Sequence, residues 1–397
     1  MNKKTIFDLN QNDIENKKVL IRVDFNVPID DNKNITDDTR IKAALETINY
    51  LRDNNAKIIL SAHFGRPKGK VNPDFSLKPI VEEFNKITGY NCTLAPDCIG
   101  EEVEKMISEM KNQDIILLEN VRFHKEETDN DPEFAKKLAS LADLYVNDAF
   151  GAAHRAHAST EGVAKHLPAY AGALMKKEIE FLSQTVENPK RPFVAIIGGA
   201  KVSTKLSVLK NLVKKVDKLL IGGGMAYTFF KALGLEIGKS LCEDDLIEEA
   251  KEFLEAIKNE KTEVVFPVDN IIAQDIKEGT ETKVVAFNEI PADWEGLDIG
   301  PKTQEMFIEK LQGAKTIVWN GPVGLFEIST FAEGTNAIAK VVAESGAVTI
   351  IGGGDSISAI KKAGLSDKIT HMSTGGGASL EMLEGKELPG LAALLDT

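Results

Sequence analysis

Residues 196–205 read IIGGAKVSTK and lie at the midpoint of 397 residues. The apolar segment before them, Phe193–Ile197, predicts a buried strand, and Gly198-Gly199 predicts a turn. From Ala200 onward the sequence is compatible with a helix carrying Lys201 and Lys205. Positions four apart in a helix share a face, so the spacing predicts two ammonium groups side by side above outward-pointing amides. A strand, a glycine turn and a helix N-terminus with lysines make an anion site suited to phosphate. No GxxxxGK[ST] is present, so the stretch is not a P-loop. The competing reading is a tight turn with two solvated lysines.

Outward from this stretch, the second half repeats the same scheme. Residues 194–197, 218–221, 264–268, 316–319 and 348–351 read as strands. After them come Gly198-Gly199-Ala200-Lys201, Gly222-Gly223-Gly224, Asp269-Asn270, Asn320-Gly321-Pro322-Val323-Gly324 and Gly352-Gly353-Gly354-Asp355-Ser356. Glycine at such ends lets phosphate oxygens or a flat ring approach the backbone and permits positive φ. Repeated at several strand ends, it predicts a nucleotide cleft. Asp355 opens a predicted helix, where it is either an N-cap or a carboxylate for Mg²⁺ beside the phosphates. Glu327 is placed to accept from ribose hydroxyls, although an exposed glutamate with no such role is the commoner case.

The first half also alternates. Strands are predicted at 18–23, 57–62, 92–95, 114–118 and 144–146, and helices at 38–51, 79–87, 101–110 and 132–141. Continuous apolar strands spaced by helices predict a parallel sheet covered on both faces. Ligands of such sheets gather at the carboxyl ends of the strands. Four ends carry polar or basic residues: Asp24 and Asn26; His63 and Arg66; Arg122 and His124; and Asp148, His154, Arg155 and His157. Residues 168–186 read as a helix ending in the turn Asn188-Pro189-Lys190-Arg191-Pro192, a candidate connector. A plain core helix fits that pattern equally.

Length alone predicts two domains. A net charge of −13 argues against broad binding to nucleic acid or to an anionic membrane. The cations are nonetheless sorted. All arginines precede residue 192, with five of the six histidines, and beyond Arg191 the cations are lysine apart from His371. Arginine forks grip carboxylate and phosphate at two points, so the first half is suited to a small polyanion in a cleft. The three cysteines have no CxxC spacing and predict reduced structural thiols. The start, MNKKTIFDLN, has no apolar h-region, and no apolar run is long enough to span a bilayer, so the expectation is a cytoplasmic protein.

Two α/β domains, one with an arginine–histidine rim and one with a glycine–lysine–aspartate rim, predict phosphoryl transfer across a cleft. The motifs KVLIRVDFNVP (18–28), HFGRPKG (63–69), LLENVRFHKEE (117–127), DAFGAAHRAHAS (148–159), GGAKVSTK (198–205), WNGPVGLFE (319–327), GGGDS (352–356) and STGGGAS (373–379) fall in one order along the chain. With them the sequence resembles the phosphoglycerate kinase family over its whole length. The resemblance implies two Rossmann-like domains, each a parallel β-sheet flanked by helices, joined by a hinge helix. They would be residues 1–170 for 3-phosphoglycerate and 171–379 for nucleotide, with 380–397 returning to the first.

The resemblance further implies the reaction ATP + 3-phosphoglycerate ⇌ ADP + 1,3-bisphosphoglycerate with Mg²⁺, in a monomer. Asp24, Asn26, Arg40, His63, Arg66, Arg122 and Arg155 would bind phosphoglycerate. Lys201, Lys205, Gly296, Asn320, Glu327, Gly353, Gly354, Asp355 and Ser356 would bind nucleotide, with Asp355 at the metal. Arg40, Lys205 and Gly375 would form the catalytic set. The substrate carboxylate is already a nucleophile, so His63 is expected as a ligand and not as a general base. Ala62, Phe64 and Ala152 depart from the family's usual Ser, Leu and Thr, which touches only fine substrate packing. Two rival functions fit the residues less well. A nicotinamide-linked dehydrogenase needs GxGxxG, which GGAKVS and GGGMAY both break. A non-catalytic nucleotide or sugar-phosphate binding protein on the same fold does not account for Arg40, Lys205 and Asp355 together.

Overall fold

Strand β1 (Lys18–Val23) is buried at every position but its first, as a strand covered on both faces must be. The structure, a computed structural model, describes residues 2–397 and all side chains among them except that of Gln184. β1 is central in a six-stranded parallel sheet with β2 (Lys57–Ser61), β3 (Cys92–Leu94), β4 (Ile115–Leu117), β5 (Leu144–Asp148) and β6 (Ala169–Ala171). The order is β3-β4-β2-β1-β5-β6. Helices such as Lys78–Thr88 cover it, burying Ile80, Val81 and Phe84 against the cluster that contains Val19, Ile21 and Phe25. Each such side chain taken from water contributes about 1.5–3 kcal/mol.

The second sheet contains β7 (Phe193–Ile197), β8 (Lys218–Ile221) and β9 (Glu263–Val265). Three antiparallel strands follow, β10 (Asp269–Ala273), β11 (Thr282–Ala286) and β12 (Glu295–Ile299), and form a small sheet of their own. β13 (Thr316–Asn320), β14 (Val348–Gly352) and β15 (His371–Met372) complete the parallel sheet in the order β15-β14-β13-β7-β8-β9. The fold is therefore α/β, with two parallel six-stranded sheets flanked by helices and one three-stranded antiparallel addition. Among the described residues no helix is long and apolar enough to cross a membrane.

The chain up to Glu180, together with Glu387–Thr397, makes one compact unit, and Phe181–Lys386 makes the other. The sequence places the boundaries at 170 and 379. The stretch read as one helix over 168–186 in fact begins as strand β6, which pairs with β5 through Tyr145↔Ala169. Sheet pairing overrides the helical preference of this alanine-rich segment. The helix starts at Ala173, passes into π-helical geometry over Ile179–Gln184, and ends at Glu187. The change of unit falls inside the π segment, a geometry that departs from regular α-helix. At the other end, residues 380–386 stay with the second unit, where Asn211 Nδ2 donates to Leu383 O at 2.5 Å. The last residues rejoin the first unit through Lys4 N to Leu395 O (2.8 Å), Lys3 Nζ to Leu394 O (2.9 Å) and Asn147 Nδ2 to Gly390 O (3.0 Å).

Each parallel sheet reverses its winding once. In the first, β1 leads outward to β2 and β5 leads the other way to β6, so β1 and β5 flank the switch point. In the second, β7 and β13 flank it, in register through Ile197↔Asn320. Ligand crevices of such sheets open there. Gly198–Lys205 follows β7 directly.

Candidate active site

In the first unit the turns after β1, β2 and β4 carry a linked set of cations, a carboxylate and amides. Arg40, partly exposed, places Nη1 3.1 Å from Asp24 Oδ1 and 3.0 Å from Asn26 O. Asn26 Oδ1 accepts from Gly65 N at 3.0 Å, tying the turn after β1 to the turn after β2. Arg122 donates through Nη1 to Gly65 O at 3.1 Å, while its buried Nε meets no partner. Burial first, then the neighbouring Arg22 and Arg155, pulls the Arg122 guanidinium down to about 10. Arg66 and Arg155 are exposed, and Arg155 Nε lies 3.1 Å from His154 Nε2. His63 is buried, and its pKa falls well below the ordinary 6.5 through burial and the charge of Arg22. Asp24, Asn26, Arg40 and Arg122 are therefore linked through these bonds, His63 feels the charges of Arg122 and Arg40, and Arg66 and Arg155 stand on exposed turns of the same unit.

Of the further residues assigned to this rim from sequence, Asp148 and His124 are taken up by other partners, and His157 is buried beside the rim arginines. Asp148 is the last residue of β5 and is fully buried. It caps the helix Ala173–Glu178 by accepting from Met175 N at 3.1 Å, and burial without a cation raises its pKa to about 7. His157 is buried and is pulled down to about 4 by burial and by Arg122, Arg22 and Arg155. His124 turns to Asp97, with Nε2 2.7 Å from Oδ1. Asp97, Cys98 and His124 bring ligand-type atoms within 4.8 Å of one another. The carboxylate already takes the imidazole and the Cys98 amide (2.6 Å), and burial with the Asp97 charge keeps the thiol protonated. The trio is a satisfied network.

In the second unit, 196–205 departs from its expected geometry. Lys201 is extended (φ −125°, ψ 129°), Val202–Thr204 is a 3₁₀ turn, and the α-helix begins only at Leu206. The lysines therefore do not share a helical face. The intervening Val-Ser-Thr is a poor helix former, and its polar groups find partners outside a helical ladder. Ser203 donates from N and Oγ to Glu243 at 2.9 and 2.6 Å, and Thr204 Oγ1 donates to Lys201 O at 3.0 Å. Lys201 is exposed, whereas Lys205 turns inward and donates to Asn320 Oδ1 across the β7–β13 switch point. Burial lowers Lys205 from 10.5 to about 8, opposed by Asp355 and Glu384.

The glycines do different work from what the pattern implied. A Cβ on Gly198 would lie 2.2 Å from Pro322 O, one on Gly321 2.2 Å from Gly198 O, and one on Gly223 2.6 Å from Gly199 O. Three strand-end turns thus pack backbone on backbone, which leaves room for no side chain. Gly354 is the opposite case, with nothing within 4 Å of its Cβ position. Gly321→Ala, at φ +93°, is expected to destabilise the protein by about 3 kcal/mol or more, read as a fall in Tm. A change under 1 kcal/mol would refute the packing account.

Beside these turns lies a cavity of about 300 Å³ lined by Gly199, Gly223, Gly224, Gly296, Glu327 and Asp355, among others. Gly296 is held against Tyr227, whose hydroxyl would be 1.9 Å from a Cβ there. Asp355 stands in the first turn of the helix Gly354–Lys362, whose cap position is Gly353, so its carboxylate is not the N-cap. Ser356 is buried and accepts from Gly321 N at 2.7 Å. Gly352 and Gly353 pack on the Asn320 amide. Gly375 is buried in the turn after β15, its amide 3.3 Å from Ser373 Oγ. Sequence reasoning missed the apolar wall: Leu241, Pro267, Ile276 and Leu325. Leu241 and Ile276 are large exposed apolar residues, a signal visible only once the chain is folded.

Residues 9–386 match the phosphoglycerate kinase family. The chain belongs to the phosphoglycerate kinase family. It is 57% identical over 397 residues to a phosphoglycerate kinase of Dictyoglomus turgidum, covering all of both chains. It is 55% identical over 396 residues to the cytosolic phosphoglycerate kinase of Triticum aestivum, covering 99% of this chain and 98% of that one. The solved phosphoglycerate kinase structure from Coxiella burnetii superposes with a TM-score of 0.90 at 41% identity, and that from Pyrococcus horikoshii with 0.84 at 34%, each covering 98% of both chains. A phosphoglycerate kinase moves a phosphoryl group reversibly between 1,3-bisphosphoglycerate and ADP, giving 3-phosphoglycerate and ATP. That is the glycolytic reaction of this chain, and its substrates are those small molecules. The non-catalytic alternative is not favoured.

Proposed function

We propose that the residues divide the reaction between the two units. Asp24, Asn26, Arg40, His63, Arg66, Arg122 and Arg155 hold 3-phosphoglycerate, with Arg40 also touching the transferred group. Lys201, Lys205, Gly296, Asn320, Glu327 and 353–356 hold the nucleotide, whose base lies on the Leu241–Ile276 wall. Lys205 and Gly375 complete the catalytic set with Arg40. The observation that supports this reading best is Lys205, desolvated and drawn across the β7–β13 switch point onto Asn320. Its Cε is 3.6 Å from a Cβ position on cavity-lining Gly199. A part-buried ammonium whose hydrogen-bond partner among the described residues is a neutral amide, with the Asp355 and Glu384 carboxylates acting only at longer range, invites an anion.

The chemistry needs positioning and charge cancellation rather than a general base, because the attacking carboxylate is already ionised. Arg40 and Lys205 supply fixed positive charge to the equatorial oxygens. The donor set of Asp355 fits Mg²⁺: it is one exposed carboxylate on the cavity wall, not spent as a cap. Bound with the nucleotide, Mg²⁺ neutralises phosphate charge. We further propose a cytoplasmic monomer with no nucleic-acid or membrane partner.

Gly354→Ala tests the nucleotide half, since open space surrounds that position. Stability should hold within about 1 kcal/mol while KM for ATP rises at least about fivefold. An unchanged KM would move the phosphates away from Gly354.

A further inference from the structure

Arg22 is absent from the roles above, although it is the one arginine buried completely. It points from within β1, where a guanidinium is costly unless every donor is met. Nη1 donates to Val23 O at 2.5 Å, Nε to Ser159 Oγ at 2.8 Å, and Nη2 lies 2.9 Å from His63 Nδ1. Ser159 passes the contact on: its Oγ donates to Glu127 Oε1 at 2.6 Å and its amide to Oε2 at 2.9 Å. Glu127 is itself fully buried. A buried pair built only for stability would join Arg22 to Glu127 directly. Here a hydroxyl separates them, and one arm of the fork is spent on a neutral imidazole.

The chemistry of that arm has one solution. A guanidinium donates and never accepts, so Nδ1 of His63 must offer its lone pair. The ring is then neutral, with its proton on Nε2. The titratable and charged groups that bear on it most, Arg22, Arg122, His157 and Arg40, all disfavour a second proton. We propose that Arg22, anchored through Ser159 to Glu127, is a positioning residue that fixes His63 as the Nε2–H tautomer, so that His63 donates a hydrogen bond to an anionic oxygen of phosphoglycerate. This rests on the assignment of His63 to the phosphoglycerate rim. The opposite tautomer would aim a lone pair at an anion. The relay also gives a role to two motif residues, Glu127 and Ser159, that touch no substrate in the account above.

The test is ¹H–¹⁵N NMR of the histidine rings in the uniformly ¹⁵N-labelled wild-type protein from about pH 5 to 8, with His63 assigned by His63→Gln. His63 should stay neutral and Nε2-protonated throughout, while His124, whose pKa Asp97 raises, titrates in the same spectra and serves as the control. An Nδ1-protonated or titrating His63 overturns the proposal without any variant having to fold. Added 3-phosphoglycerate should shift the Nε2 proton. The expected tautomer with no shift would sink the rim assignment, and the proposal with it. A shift from an Nδ1–H ring would keep the rim and remove the role of Arg22. In Arg22→Met, His63 should lose its single tautomer and KM for 3-phosphoglycerate should rise about tenfold with KM for ATP unchanged. A purely structural arginine would lower Tm and leave both the tautomer and the KM ratio as they were.

Discussion

Lys205→Met is expected to cut kcat by about 10²–10³ or more while making the protein more stable at neutral pH. The two effects have one cause. Burial holds the ammonium at about 8 instead of 10.5, a desolvation worth roughly 3 kcal/mol while the group stays charged. Methionine keeps the stem and removes that cost, but leaves Asn320 Oδ1 without its donor, beside an Nδ2 that already lacks a partner. Subtracting about 1–2 kcal/mol for the orphaned oxygen leaves a net gain of about 1–2 kcal/mol. The sign of the pH dependence follows. The folded pKa lies below the unfolded one, so the penalty is in force below pH 8 and fades as pH rises from 8 to 10.5. Wild type should gain on the variant over that window and overtake it by about pH 10.5 in denaturant titrations, because only the variant keeps the orphaned oxygen. A variant less stable at pH 7, or one that keeps most of its turnover, would make Lys205 a structural lysine.

Arg40→Ala is expected to lower kcat by about 10²–10³, the scale of one preorganised charge donor. Its structural cost should be small, because the Asp24–Arg40 pair is partly exposed and such pairs contribute about 0.2–1 kcal/mol. Steady-state kinetics and a melting curve on the same sample separate the two. Arg40→Lys keeps the charge but loses the planar fork, and should fall between wild type and alanine. A loss of only a few-fold in Arg40→Ala would remove Arg40 from the transferred group.

Much of this was legible because buried parallel strands announce themselves as unbroken apolar runs: β1, β2, β4 and β7 appear in the sequence almost to the residue. What failed was long-range. β6 was hidden in an alanine-rich stretch that only its pairing with β5 makes a strand. β11 is mostly exposed and carries no burial pattern, so the antiparallel sheet left little trace. The expected helix over 200–205 yielded to side-chain bonds from Ser203 to Glu243, 40 residues away. Glycines that read as phosphate-approach positions are held chiefly by other turns, as at Gly198 and Gly321. Asp148, Asp269 and Asp298 are buried and bind helix N-terminal amides at Met175, Thr303 and Gly334, a use of aspartate that no local pattern distinguishes from a ligand. The basic rim, by contrast, was visible, because arginine and histidine recur at successive strand ends.

In the proposed division of the site, each unit holds one substrate with its own residues. Calorimetric titration of 3-phosphoglycerate and of MgADP into wild type, Arg122→Ala and Lys205→Met tests it most directly. Arg122→Ala should lose about 2 kcal/mol or more of 3-phosphoglycerate affinity and keep its MgADP affinity. Lys205→Met should weaken MgADP and keep 3-phosphoglycerate. If Arg122→Ala weakened nucleotide, or Lys205→Met weakened phosphoglycerate by as much, the division of the site would be wrong.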